Sequence, residues 1–239
     1  MKIGIDLGHG VSYDGGAVGI IKEETIINAV GSVVIRLLKQ LGHTVIESRP
    51  GSASSTSDSL NRRVNTLNSN KVDLSLSIHA NAGGGKGVEI YTYKGKEVNQ
   101  ARNIINKISA LGFNNRGIKS QSLALVNNTT MTSMLLEICF TDTKSDVDLY
   151  NKIGAERIGQ AIVEGLTGQT VNNSTNTTGS YLVKITGDVV NIRAGAGTNY
   201  KINGTVKRGE VFTIVETNGD WGKLKSGAGW ICLNYTTRC

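Results

Sequence analysis

The 239-residue chain has one proline, three cysteines and three histidines, and aromatic residues make up 5% of it. Each shortage removes a class of explanation. Cys139, Cys232 and Cys239 form an odd set without CxxC spacing, which indicates neither a disulfide framework nor a cysteine zinc cluster and suits a reducing cytoplasm. No apolar run is long enough to span a bilayer. No basic n-region, long apolar run or cleavage site precedes the first strand pattern at Met1-Lys2-Ile3, so no signal peptide is expected. The net charge of +7 would suit nucleic acid, yet there is no run of Lys and Arg and no interleaved aromatic platform, which argues against that partner. With so few histidines, the place of each one is informative.

His9 and His79 each end a short apolar strand pattern. Ile3-Gly4-Ile5-Asp6-Leu7 stops at Gly8-His9-Gly10, where glycines allow a sharp turn and where open α/β sheets bind ligands. Further on, Leu74, Leu76 and Ile78 face one side of a strand while Ser75, Ser77 and His79 face the other. Catalytic zinc takes three protein ligands, commonly two His and one carboxylate, and leaves a fourth position to water. The two strand-end histidines therefore outline a zinc site, although each alone could be a merely hydrogen-bonded imidazole. His43, between a helix and a strand, is expected to be structural.

The carboxylate comes from Glu23 or Glu24. Ile26, Ile27, Val30, Val33, Val34, Leu37, Leu38 and Leu41 recur at helical spacing, and Glu23 lies three, four and seven residues ahead of the first three. It shares their inward face, whereas Glu24 aligns with Asn28 and Gly31 on the flank. Glu23 is the preferred ligand and Glu24 the fallback; both also suit the positive end of a helix dipole. A third acid, Glu137, interrupts Met134-Leu135-Leu136-Glu137-Ile138-Cys139-Phe140. A carboxylate in so apolar a run meets a cation, performs chemistry, or lies solvated on an edge strand. Beside zinc it would serve as a general base.

Taken in order, Gly8-His9-Gly10, Glu23 ahead of an amphipathic helix, Ser77-Ile78-His79-Ala80-Asn81 and Glu137-Ile138-Cys139-Phe140 resemble the zinc-dependent N-acetylmuramoyl-L-alanine amidases of the amidase_3 type, over about residues 1–168. The resemblance implies hydrolysis of the amide between the lactyl group of muramic acid and the first L-alanine of the peptidoglycan stem. It makes His9, Glu23 and His79 the ligands of one zinc ion and Glu137 the catalytic acid. Val11 and Cys139 stand where the family usually has glycine, so Val11 could reshape the groove and Cys139 could add a soft ligand. Asn81 is a weak candidate for substrate binding.

Strand patterns at 2–7, 43–48, 73–79, 87–93, 123–126 and 134–140 alternate with helical stretches near 23–41, 57–70, 96–111 and 145–168. This predicts an α/β fold, a twisted, mostly parallel (mixed) sheet with helices on both faces. Ser145 with Asp148 reads as a capping box for the last helix. Residues 49–58 form an exposed loop near the site.

Residues 169–180 are almost free of apolar and charged side chains and read as a linker. Residues 181–239 show short alternating strands with glycine turns, as in a small all-β, SH3-like barrel. Here Asn191-Ile192-Arg193-Ala194-Gly195, Asp220-Trp221-Gly222 and Gly229-Trp230-Ile231 resemble bacterial SH3 domains, SH3b, which implies cell-wall binding; Ala196 replaces a frequent proline. Trp221, Trp230 and Tyr200 are expected to be core residues first and contact aromatics second.

The segment from residue 169 carries eight Lys and Arg against four Asp and Glu, which suits the anionic polymers of Gram-positive walls. The partner expected is therefore Gram-positive peptidoglycan, with neither nucleic acid nor membrane. Production in a host cytoplasm and action after release or lysis fit a phage endolysin, or a sporulation autolysin. Two other readings stand beside it: a related zinc hydrolase that cuts a different bond, and a wall-binding protein with a vestigial zinc site.

Overall fold

Side-chain alternation sets the first strand. In β1 (Lys2–Leu7), Ile3 and Ile5 are fully buried on one side, while Asp6 turns to the other side and meets Arg63 of α2 (Thr56–Ser69). The computed structural model describes residues 1–171, 180–198 and 200–239. Its internal contacts separate two units, Met1–Val171 and Asn172–Cys239.

The larger unit adds strands β2 (Thr44–Glu47), β3 (Leu74–Asn81), β4 (Val88–Thr92), β5 (Asn115–Lys119) and β6 (Thr132–Phe140). They form one six-stranded sheet in the order β2-β1-β3-β6-β4-β5. The first four in that order run parallel, β4 is antiparallel to β6, and β5 is parallel to β4. This is the mixed sheet expected from the alternation of strands and helices.

Helices α1 (Glu23–Gln40), α3 (Asn99–Ser109) and α6 (Ala155–Thr167) cover one face, where Ile26, Val30, Leu38, Ile104 and Ile162 join Ile3, Leu76 and Ile78 in a single core. Each such side chain contributes about 1.5–3 kcal/mol by leaving water. On the other face, α2 and the one-turn α4 (Ala124–Asn127) close a smaller cluster of Val64, Leu67, Val72 and Leu125.

Three local expectations are corrected. Residues 123–126 are not a strand: Leu123 is the N-cap of α4, whose turn buries Leu125 and Val126, with Leu125 packed against Val64 and Leu67 of α2. The strand in that part of the sheet is β5, whose sequence Asn-Arg-Gly-Ile-Lys shows little apolar pattern because it is an edge. The helix expected over 145–168 is two helices, α5 (Lys144–Ile153) and α6, separated by Gly154 at φ 80° and ψ 158°, a conformation closed to other residues. The capping box is also misplaced. Thr143 is the N-cap, and its hydroxyl donates to Gly85 O instead of capping the helix, while Asp148 pairs with Lys144 on the surface.

The smaller unit is an all-antiparallel sheet of β7 (Tyr181–Ile185), β8 (Val189–Arg193), β9 (Ile202–Lys207), β10 (Val211–Asn218), β11 (Trp221–Leu224), β12 (Trp230–Cys232) and β13 (Thr236–Arg238). Val183, Ile185, Val190, Ile192, Val206, Ile214, Leu224 and Ile231 form its core. The expectation that Trp221, Trp230 and Tyr200 fill that core is wrong. Along β11 and β12 it is Gly222, Leu224 and Ile231 that point inward, so the alternating neighbours Trp221 and Trp230 stay half-buried, and Tyr200 is 47% exposed.

Of the expected linker, residues 172–179 lie outside the described residues. Gln169 and Val171 belong to the larger unit: Gln169 Oε1 lies 2.7 Å from His43 Nε2, and buried Val171 accepts from Gln160.

Candidate metal centre

The carboxyl ends of β1 and β3 and the N-terminus of α1 converge. The chain turns sharply after β1 because His9 and Gly10 adopt left-handed backbone angles, φ 53° and 79°. Gly8 serves differently: a Cβ there would lie 2.2 Å from the His79 ring, so glycine is what lets the two histidines approach. Their rings meet edge to face at 4.9 Å between centroids. Glu23, first residue of α1 and buried, reaches between them, with Oε2 3.5 Å from His9 Nε2 and Oε1 3.1 Å from His79 Nδ1. One ligand atom from each of the three residues lies within 4.8 Å of the other two. Glu24 is half-buried on the flank and is not in this group.

Burial alone would raise the Glu23 carboxyl. The His79 ring bond, the Ala17 N–H at 2.7 Å and the two histidine charges outweigh it and hold the group below the ordinary range. His79 is shifted upward: burial opposes its charge, but the bond to Glu23 and the charges of Glu137, Glu23 and Asp6 prevail. Glu137 lies beside His79 in the parallel register of β3 and β6. Burial pushes its carboxyl up to about 8, against the pull of His79 and with added repulsion from Glu23 and Glu89. Its Oε2 is buried without a hydrogen-bond partner among the described residues.

Cys139 does not join this group. Between His79 and Asn81 the register slips, so that β6 fits one extra residue against β3. Cys139 thereby turns into the main core, fully buried, and burial raises its thiol well above the ordinary value. The adjacent Asn81 donates its amide to Glu89, and its carbonyl accepts the Ala82 N–H.

Sequence reasoning missed the support beneath the histidines. Asp14 Oδ1 bonds His9 Nδ1 at 2.9 Å and its Oδ2 accepts from Ser59 at 2.6 Å. With the Nδ1 proton held by Asp14, a neutral His9 directs its Nε2 lone pair toward Glu23. Arg63, 1% exposed, donates to Asp6, Asp14 and the carbonyls of Leu7 and His9. Arg49 of the expected loop donates to the carbonyls of Leu7 and Gly8 and to Asn28. The available signal was Asp6, a charge inside an apolar strand just as Glu137 is.

Glu89 was missed in the same way. It opposes Glu137 across β4 and β6, is 2% exposed, and accepts from Asn81, Tyr91 and Arg116. Burial, and after it the hydrogen bond to the Glu89 carboxylate, raise the Tyr91 hydroxyl to about 12.

These residues fit a divalent cation. Two imidazoles and one carboxylate are the donors of hydrolytic zinc sites, and a cation among them would stabilise the nearby Glu137 carboxylate, whose Oε2 lacks a partner among the described residues. The group is therefore able to hold a metal ion.

Known proteins share this architecture. An uncharacterized protein of Clostridium perfringens (strain 13 / Type A) is 34% identical over 70% of this chain and 51% of its own length, so the chain spans about half of that relative. The N-acetylmuramoyl-L-alanine amidase CwlM of Bacillus licheniformis is 32% identical over 77% of the chain and 74% of its own length. Among solved structures, the catalytic domain of an endolysin targeting Clostridia Difficile superposes with a TM-score of 0.66 at 30% identity, covering 72% of this chain and 99% of that one. Residues 188–235 match the bacterial SH3 domain. Residues 3–168 match Amidase_3, N-acetylmuramoyl-L-alanine amidase, and the chain belongs to that family.

Proposed function

We propose that this chain is a zinc-dependent peptidoglycan amidase that cleaves the bond between N-acetylmuramic acid and the first L-alanine of the stem, with His9, Glu23 and His79 as ligands and Glu137 as the proton-transfer group. The observation that carries the reading is the placing of Glu137, its Oε2 buried and unpartnered, in register with His79 beside the convergent donors. Bound zinc supplies Lewis acidity, polarising the scissile carbonyl and acidifying water. Glu137 takes a proton from the attacking water and passes it to the alanine nitrogen, without which the amine is a poor leaving group. Asp14 keeps His9 in the tautomer that presents Nε2, and Arg63 fixes both Asp14 and the backbone behind His9.

The basic SH3 unit concentrates the enzyme on the anionic Gram-positive wall. Among the described residues no helix is long and apolar enough to cross a membrane. The similarity to an endolysin catalytic domain favours production in a phage host and release at lysis; a sporulation autolysin would use the same chemistry. The test is digestion of purified Gram-positive walls with and without a chelator. Chelator-sensitive release of alanine amino termini without new reducing sugar is expected, and other new termini would assign a different hydrolase.

A further inference from the structure

Beyond the reacting groups, the sheet continues the polar row outward. His79, Glu137 and Glu89 stand side by side on β3, β6 and β4, and the fourth member is Arg116 of edge strand β5, whose Nε donates to Glu89 Oε2 at 2.7 Å. The Arg116 guanidinium also lies over the Phe140 ring at 4.9 Å. One donor and one face of the planar fork are thus occupied, while Nη1 and Nη2 have no hydrogen-bond or ion-pair partner among the described residues, and the side chain is 36% exposed. Arg49, by contrast, has all three of its nitrogens bonded, to two carbonyls and Asn28. The pair with buried Glu89 uses Nε alone, so the remaining two nitrogens of the guanidinium are held in place without being used. An arginine that must present its outer edge in a fixed orientation gains geometric specificity.

We propose that Arg116 is a specificity-determining residue that binds a carboxylate of the stem peptide just beyond the scissile bond, with Glu89 as its positioning residue. The inference rests on the amidase reading above. Neighbouring strands lie roughly 4.8 Å apart, so Glu89 stands roughly 10 Å from His79, and the Arg116 fork reaches back toward it. An extended peptide advances roughly 3.5 Å per residue, which brings the residue after alanine, with its free carboxylate or the corresponding amide, alongside Arg116. Two parallel N–H donors suit the carboxylate; an amide offers one acceptor and turns an N–H against the cation.

The test compares soluble disaccharide peptides whose second stem residue carries either a free α-carboxylate or its amide. The zinc-loaded full chain is expected to favour the free acid by about tenfold in kcat/KM, the scale of one charge-assisted pair at a half-exposed site. Arg116→Gln keeps a donor for Glu89 and should bring the ratio near one, chiefly through KM, because the contact is the same in ground and transition states. Arg116→Lys, charged but without the fork, should fall between. Equal rates of alanine release from both peptides by the unaltered protein, or a ratio that survives Arg116→Gln, would overturn the role of Arg116 and leave the amidase reading standing. No alanine release from either peptide would remove the amidase reading and this inference with it.

Discussion

Glu137, the proposed proton-transfer group, lies in register with His79 where burial favours the neutral acid. Its replacement by glutamine keeps the shape and removes the proton carrier, so turnover on walls should fall by about 10²–10⁴-fold while zinc binding persists; retained turnover would sink the assignment. The same substitution has a second signature in metal-free protein. With a folded-state pKa near 8 against an ordinary 4.5, the folded chain keeps a proton that the unfolded chain has released across that window, so stability falls as pH rises through it. Glu137→Gln should flatten this loss, on the order of 2–4 kcal/mol between about pH 5 and 8, in denaturant titrations.

Asp14 acts through His9. Asp14→Ala should weaken zinc binding by about 10–100-fold in chelator competition, and unchanged affinity would show that His9 needs no partner. His9, His79, Glu23 and Glu137 were legible as candidates because each breaks or ends a simple periodicity. Asp14 and Arg63 were not, since nothing in a loop or a polar helix face announces that two distant charges will meet in the dark.

Among the elements, α2 shows how that buried pair holds the site to the scaffold. Arg63 ties the helix to β1 through Asp6 and to the turn through the carbonyls of Leu7 and His9. Arg63→Met leaves two buried carboxylates uncompensated and should cost about 3–5 kcal/mol in chemical denaturation; a loss below about 1 kcal/mol would mean that water or rearrangement replaces the pair. Strands that bury one apolar face were readable from alternation, as β1, β3 and β6 show. The failures have a common cause in tertiary context. Edge strand β5 needs no apolar pattern because only its pairing with β4 defines it. The stretch before residue 127 has strand-like composition, yet a single helical turn buries Leu125 and Val126 together. In the smaller unit, which face of β11 and β12 turns inward depends on register, and that placed both tryptophans at the surface side of the sheet.

For the whole molecule, the proposed function divides the work between the two units, chemistry in Met1–Val171 and wall binding in Asn172–Cys239. The larger unit keeps its own core and the entire candidate centre, so a chain ending at Val171 retains the Gln160 bond to Val171 and the His43 contact of Gln169. Such a chain should cleave soluble disaccharide peptides within about twofold of the rate of the 239-residue chain, since His9, Glu23, His79 and Glu137 all belong to Met1–Val171. On intact walls the comparison differs. The removed segment carries eight Lys and Arg against four Asp and Glu, and on the proposed reading wall binding through it would raise the local concentration of the catalytic unit near its substrate. The 239-residue chain should therefore outpace the shortened one on walls by about tenfold or more at low salt. Exposed charges are screened beyond about 8 Å at physiological ionic strength and beyond about 3 Å at 1 M. Raising salt should then erase much of the advantage on walls while leaving both rates on soluble peptides nearly parallel. An advantage that persists undiminished at 1 M salt would assign wall binding to the half-buried aromatics of the small sheet instead of its charge.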